Sequence, residues 1–257
     1  MKLDLKPVGF VRNGIKNRSD MPHGGTPSVI QISAEFKTAL KGIEKCSHIW
    51  VLCWFDRADR TVLKARPRKV SSTLAERGVF AMRSPDRPNP IALTCARLVK
   101  IKGLELTLDS LDAADGTPVM DIKPYSQGLD CVPAATVADF SAKYRKMADA
   151  PLARMLARFA LNHVPTLTPD ALKALALVFG YIRESGLAPE CGAQAVESNA
   201  AREGIDILHA MFGLKPSEGK YYRTALRGTA TLAVKTKTGW ITVEAGTKEL
   251  AYFKKLL

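Results

Sequence analysis

Cysteine is scarce in this 257-residue chain, and its five copies (Cys46, Cys53, Cys95, Cys131, Cys191) form no C-x-x-C. A disulfide scaffold, a dithiol redox motif and a paired zinc half-site are excluded on that ground. The four histidines (His23, His48, His163, His209) lack H-x-x-x-H spacing, so a metal site assembled from distant residues has no motif behind it. No apolar run approaches the ~20 residues of a membrane span. Residues 1–15 carry Asp4, Lys6 and Arg12 and no leader-like apolar core, so the expectation is a soluble, cytoplasmic protein without a membrane partner. Internal repeats and low-complexity tracts are absent as well.

Acidic residues are also in short supply. Asp+Glu number 25 against 38 Lys+Arg, a net charge of +13. Through residue 150 the count is 24 basic minus 16 acidic, or +8; the remainder is 14 minus 9, or +5. The excess is spread over both halves and favours polyanionic partners, nucleic acid first.

The first part of the chain reads mainly as strands. Pro7–Val11, His48–Phe55, Gly78–Arg83, Ile91–Lys100, the alternating stretch around Leu104, Leu106 and Leu108, and Val119–Lys123 are the candidates. His48–Phe55 is dense in aromatic and β-branched residues, as a strand buried on both faces would be. One helix is expected from Ala34 to Glu44, capped by Ser33, with Phe36, Leu40 and Ile43 on one stripe. This pattern predicts a mainly β domain over residues 1–140, a barrel or a sandwich with one packed helix.

Residues 141–257 read as an α+β domain. Helical spacing runs from Phe140 to His163; Thr168 caps a second helix ending at Ser185-Gly186; Ala193–Phe212 is a third. Gly228–Lys235 and Trp240–Glu244 form a hairpin, and Thr247 caps a final helix.

Four segments can carry chemistry. Gly78-Val-Phe-Ala-Met-Arg83-Ser-Pro-Asp-Arg87-Pro-Asn-Pro90-Ile91 is stiffened by three prolines and presents two arginines, which suits holding a carboxylate or phosphate. A rigid barrel corner with solvated arginines is the alternative. Asp115-Gly-Thr-Pro-Val-Met-Asp-Ile-Lys-Pro-Tyr125 is a turn leading into a strand, able to offer backbone groups to an adenine or to be an ordinary hairpin. Met21-Pro-His-Gly-Gly-Thr-Pro27 is glycine-rich but lacks G-x-G-x-x-G spacing, so neither a Rossmann fingerprint nor a P-loop is present. Arg57, Arg60, Lys64, Arg66, Arg68 and Lys69 crowd thirteen residues opposed only by Asp59, a phosphate-contacting loop or a solvated one.

Taken in order, C-S-H-I-W-V-L-C-W-F, G-V-F-A-M-R-S-P-D-R-P-N-P-I-A-L and D-G-T-P-V-M-D-I-K-P-Y closely resemble the TrmO (TsaA-like) family, from about Pro7 to Tyr125. The resemblance implies S-adenosylmethionine-dependent methylation of N6 of threonylcarbamoyladenosine beside the tRNA anticodon, on a non-Rossmann β-barrel whose cofactor site lies at a homodimer interface. It implies cofactor contacts from Pro22, His23, Gly24, Gly25, Asp56, Arg57, Arg83, Leu93, Thr117, Pro118, Val119 and Met120. Arg60, Lys64, Arg66 and Lys69 are the expected RNA contacts. Arg83 and Arg87 can supply charge to the reaction. The sequence identifies no general base: Asp115, with Asp86 and Asp121, is a candidate proton acceptor by position only, and proton loss to water is equally open. The chain departs from the family pattern at His23-Gly24, where Arg-Gln is usual, at Met82, where Thr is common, and at Ala92, where Gly is common.

The family's C-terminal D-P-R-P-x-Y is missing. Val196-Glu-Ser-Asn199 and residues 213–223 are instead similar to formylmethanofuran dehydrogenase domains of the E-like type, without their H-G-H-x-C-P-G metal sequence. Two competing functions remain: a methyltransferase of small metabolites, and a non-catalytic S-adenosylmethionine-binding regulator.

Overall fold

The computed structural model describes residues 4–22, 24–66, 75–132, 141–164, 166–189, 195–200, 202–212, 221–223, 230–236 and 238–254. The chain divides into two compact units, the first ending at Val132 and the second continuing from Pro133.

The strands of the first unit are β1 (Gly9–Arg12), β2 (Thr26–Ile32), β3 (His48–Trp54), β4 (Lys64–Ala65), β5 (Arg77–Gly78), β6 (Ile91–Lys102), β7 (Glu105–Leu111) and β8 (Pro118–Pro124), followed by a short helix α1 (Gln127–Asp130). Six of them close an antiparallel barrel in the order β1-β2-β7-β6-β3-β8, with β8 pairing back to β1. The other two, β4 and β5, pair as a small hairpin inserted between β3 and β6. Alternation along each strand sends Val11, Ile30, Ile49, Val51, Leu106 and Val119 into the barrel, all with no exposed surface. The Cys53 thiol joins them, and burial pushes its pKa up to about 12.

Several expectations change here. β3 is buried on one face only. Ile49, Val51 and Cys53 point inward, while Trp50, Leu52 and Trp54 stay half-covered on the outside, because a barrel has a single interior. β2 has no counterpart among the expected strands. The expected helix Ala34–Glu44 is instead two 3₁₀ segments, Ala34–Leu40 and Ile43–Lys45. Gly42 at φ +95° interrupts it, and the Ser33 side chain caps nothing. An isolated stretch of this length has little helical stability of its own. The packing of Phe36, Leu40 and Ile43 against the barrel core decides its form. The expected strand Gly78–Arg83 shrinks to β5 followed by a 3₁₀ turn, Val79–Ala81.

In the second unit α2 (Ser141–Lys146) and α3 (Asp149–Leu161) replace one continuous helix. The Arg183 guanidinium holds the break, donating to the carbonyls of Tyr144 (3.2 Å) and Met147 (2.7 Å) and to the Asp149 carboxylate (3.0 Å). Helix α4 (Pro169–Ser185) begins where expected. Thr168 Oγ1 accepts from the Ala171 N–H (3.3 Å), proline stands in the first turn, and Gly186 closes the helix at φ +67°. The expected helix Ala193–Phe212 is really β9 (Ala195–Ser198) followed by α5 (Arg202–Phe212), because the first part pairs with other strands. With β10 (Tyr221–Arg223), β11 (Thr231–Thr236) and β12 (Gly239–Glu244), β9 forms a sheet ordered β10-β9-β11-β12; α6 (Thr247–Lys254) ends the described chain, Thr247 being its first residue. The Val196–Asn199 motif is structural here. Ser198 Oγ donates to Thr231 O (2.7 Å) and Asn199 Oδ1 accepts from the Thr231 N–H (2.7 Å), joining two strands. Of the companion motif at 213–223, residues 213–220 lie outside the described residues. Among the described residues no helix is long and apolar enough to cross a membrane.

Candidate functional site

Strand direction decides where the motifs meet. β1 ends, β2 begins, β3 ends, β6 begins, β7 ends and β8 begins at one rim of the barrel, so the connections 13–25, 55–90 and 112–117 all leave that rim. All four segments singled out from the sequence lie in these connections or at the strand starts that follow them.

Asp115 ties the third connection to the first. Its Oδ1 accepts from the N–H groups of Asn13 (2.9 Å) and Gly14 (3.3 Å), and the Asn13 amide donates to Ala113 O (2.9 Å) and Ser28 Oγ (3.0 Å). The Asn13 N–H, then that of Gly14, holds the Asp115 carboxyl below the usual carboxylate range. The glycine turn sits beside the end of β7. Gly24 and Gly25 both have φ +85°, and a Cβ on Gly25 would lie 2.5 Å from the Leu111 carbonyl carbon. Glycine is required there for both reasons. Ser110 Oγ donates to Gly24 O (2.6 Å), and the Gly25 N–H donates to Pro22 O (3.0 Å). His23 lies outside the described residues.

Asp86 gathers the second connection. Its carboxylate accepts from Arg18 Nη1 (2.9 and 3.0 Å) and from the Asp59 N–H (3.1 Å). The Arg18 hydrogen bond outweighs partial burial and lowers the Asp86 pKa. Arg57 Nη1 donates to Lys16 O (3.1 Å), drawing the same loops together. Arg87 turns inward: Nε donates to Ser84 O (2.8 Å), and Nη2 donates to Val79 O (2.5 Å) and to Met82 O. The charge of Arg87 is thus spent on shaping its own loop, and this is why the expected strand becomes a turn. Arg83 is exposed and free of such contacts among the described residues.

The other expected cofactor residues fall into three groups. Asp56 is exposed just past the end of β3. Leu93, 45% exposed, lies on the outer barrel face opposite Leu52. Thr117 and Val119 are buried, and Val119 O already accepts from the Val8 N–H (2.7 Å). Pro118 and Met120 alternate outward and are half-covered, with Met120 at a register shift between Cys53↔Val119 and Leu52↔Asp121. Of the expected RNA contacts, Arg60 is partly committed: its Nε donates to Pro88 O (2.9 Å) and its guanidinium lies 5.4 Å from the Trp54 ring centroid. Lys64 and Arg66 are exposed, while Lys69 lies outside the described residues. Asp121 pairs with Lys123 (2.7 Å) on the outer face.

Sequence reasoning missed Arg18, Asn13 and Ser110. The Asn13-Gly14 pair carried a turn signal that Asp115-Gly116 could have answered; nothing in the sequence joins Arg18 to Asp86. S-adenosylmethionine offers a carboxylate, ribose hydroxyls, an adenine and a sulfonium. An exposed guanidinium (Arg83), an exposed carboxylate (Asp56), the apolar side chains Leu93 and Met120 and a tight glycine turn are groups of matching chemistry on this rim and the strands that start or end there. No cluster of three or more metal-ligating side chains occurs among the described residues.

Residues 10–131 match the family model of the tRNA-methyltransferase O N-terminal domain. A probable S-adenosyl-L-methionine-binding protein of Archaeoglobus fulgidus is 46% identical over 144 residues, 54% of this chain and 38% of that one. A probable S-adenosyl-L-methionine-binding protein of Methanothermobacter thermautotrophicus is 43% identical over 134 residues, 51% of this chain and 95% of its own length. A tRNA (adenine(37)-N6)-methyltransferase of Mus musculus is 44% identical over 92 residues, 36% of this chain and 21% of that one. The chain thus spans little more than a third of one of these relatives and nearly all of another. With a relative matched almost end to end and the family's N-terminal domain laid over the barrel and its rim, this chain belongs to the tRNA-methyltransferase O family.

Proposed function

We propose that this chain is an S-adenosylmethionine-dependent methyltransferase that methylates N6 of threonylcarbamoyladenosine next to the tRNA anticodon. The observation that carries the reading is the convergence of the motif segments on one barrel rim, stapled by Asp86, Asp115 and Arg57. The names of the relatives and the net charge of +13 support it. The bound donor would supply a methyl group on a sulfonium. The chain's part is to hold donor and acceptor in line, and a preshaped rim loses little entropy in doing so. Arg83 is a free cation suited to the donor's carboxylate, with Asp56, Gly24, Gly25, Leu93 and Met120 for the rest. Hydrogen bonds stabilise Asp86 and Asp115 as carboxylates, which makes each a weaker base than an ordinary aspartate. The acceptor nitrogen's proton passes to water instead, and the positive rim lowers the cost of the developing anion.

A homodimer is part of the proposal. Trp50, Leu52, Trp54, Ile91 and Leu93 form an outward apolar face on β3 and β6, with Leu52 opposite Leu93 and Trp54 opposite Ile91 in register. Sedimentation of a 28.0 kDa species at all concentrations would count against the dimer.

The test is incubation with labelled S-adenosylmethionine and total RNA from cells lacking the protein, beside calorimetry of donor binding. Label should enter tRNA. Arg83→Ala should weaken donor binding about tenfold or more, the loss of a charge-assisted hydrogen bond of roughly 1.5–3 kcal/mol. Donor binding with label only in small metabolites selects the metabolite enzyme, and binding without turnover selects the regulator.

A further inference from the structure

Phe80 is 86% exposed, a surface position that apolar burial alone would disfavour. It is nevertheless rigidly presented. Its neighbour Val79 is buried and donates its N–H to Leu63 O (3.0 Å). The Arg87 guanidinium clamps the carbonyls of Val79 and Met82 on either side of it. Leu63, itself 65% exposed, lies just before Lys64, which pairs with Gly78 across the small hairpin. An aromatic ring is thus held out on a stiff turn at the base of a basic hairpin. From Arg60 to Arg83 the sequence holds seven basic residues (Arg60, Lys64, Arg66, Arg68, Lys69, Arg77, Arg83) and one acidic residue, Glu76, a net of +6.

We infer that Phe80 is a stacking platform for a nucleobase of single-stranded RNA whose phosphates meet the exposed basic side chains of Lys64 and Arg66. The inference rests on the tRNA reading above and names the residue that receives a base. A flat π-face beside a cationic track is the general design of single-strand binding. A second copy of this chain is the poorer occupant, since it would bring an identical basic segment against this one.

The experiment titrates a labelled anticodon stem-loop RNA into the wild type, Phe80→Ala, Phe80→Leu and Phe80→Trp by anisotropy, with sedimentation and donor calorimetry alongside. Loss of one stacked base should weaken RNA binding about five- to a hundredfold in Phe80→Ala. Phe80→Leu should be similarly weak, because bulk without a π-face does not stack. Phe80→Trp should bind like wild type, with indole fluorescence quenched on adding RNA. Inorganic polyphosphate, which has charge and no bases, should bind wild type and Phe80→Ala alike. Donor affinity should not move. Equal RNA binding by wild type and Phe80→Ala overturns the inference and leaves the tRNA reading standing. A change in sedimentation with unchanged RNA binding assigns the ring to a second copy and overturns it as well. Wild type that binds donor but not RNA overturns both.

Discussion

The two units manage apolar surface in opposite ways. In the second, α4 alone buries ten residues, from Ala171 to Ile182, and large exposed apolar side chains among the described residues reduce to Phe159 and Trp240. Among its described residues the barrel unit leaves nine exposed, including Leu63, Phe80, Ile91 and Leu93. Its polar groups differ too: the rim carboxylates Asp86 and Asp115 are engaged across long sequence distances. A helix-and-sheet core that closes on itself needs no other occupant. A barrel with a wet, stapled rim and apolar residues facing out has surface to spare for ligands. The difference teaches that the barrel unit keeps shaped and partly apolar surface on its outside, while the second unit's described residues are organised around packing.

That contrast can be broken most forcefully from the second unit. Leu175 has no exposed surface in α4, and Leu175→Ala should cost about 2–5 kcal/mol of stability through lost burial and the cavity left behind. Donor affinity, measured by calorimetry below the melting temperature, should stay at the wild-type value. A parallel loss of donor binding would show that the units do not divide their tasks.

Gly25→Ala attacks the rim instead. The Cβ would lie 2.5 Å from the Leu111 backbone at a φ that side chains avoid, a cost of roughly 2–4 kcal/mol from strain and crowding. Hydrogen exchange should rise at residues 13–25 and 110–117 and remain unchanged in α4, with donor binding lost. Exchange rising equally in both units would contradict the contrast.

The smallest effect is one of pH. Asp86 has a lowered folded pKa, so its stabilisation is full above the ordinary carboxylate value of 3.8 and disappears as pH falls through the lower folded value. Asp86→Asn should therefore melt below wild type at neutral pH, by at most about 1 kcal/mol for so exposed a pair. The two melting curves should merge as pH drops below about 4. A gap that persists into acid would mean that the Asp86 charge is not what the variant removes.

Much of the barrel was legible because its strands alternate. Leu106 and Leu108, Ile91 onward, and Val119 to Lys123 all signalled their own conformation, while Leu104 falls in the turn before β7; Thr168 and Gly186 marked both ends of α4. The errors fell where a distant partner overrode local preference. Arg87 folds Val79–Ala81 into a turn, Arg183 splits α2 from α3, and pairing with β11 makes Ala195–Ser198 a strand. Val119, named within a site segment, lines the core because strand register chooses its face.

The candidate site divides along the same line. Residue order alone supplied the motifs, the stiff prolines, the glycine pair and the positive charge, since each is a property of covalent neighbours. Only the tertiary structure decided that 13–25, 55–90 and 112–117 share a rim, that Arg87 faces inward while Arg83 stays free, and that Phe80 stands out on the surface. Those outcomes depend on strand direction and on hydrogen bonds such as Asp115 to Asn13, 102 residues apart, and no local sequence preference reaches that far.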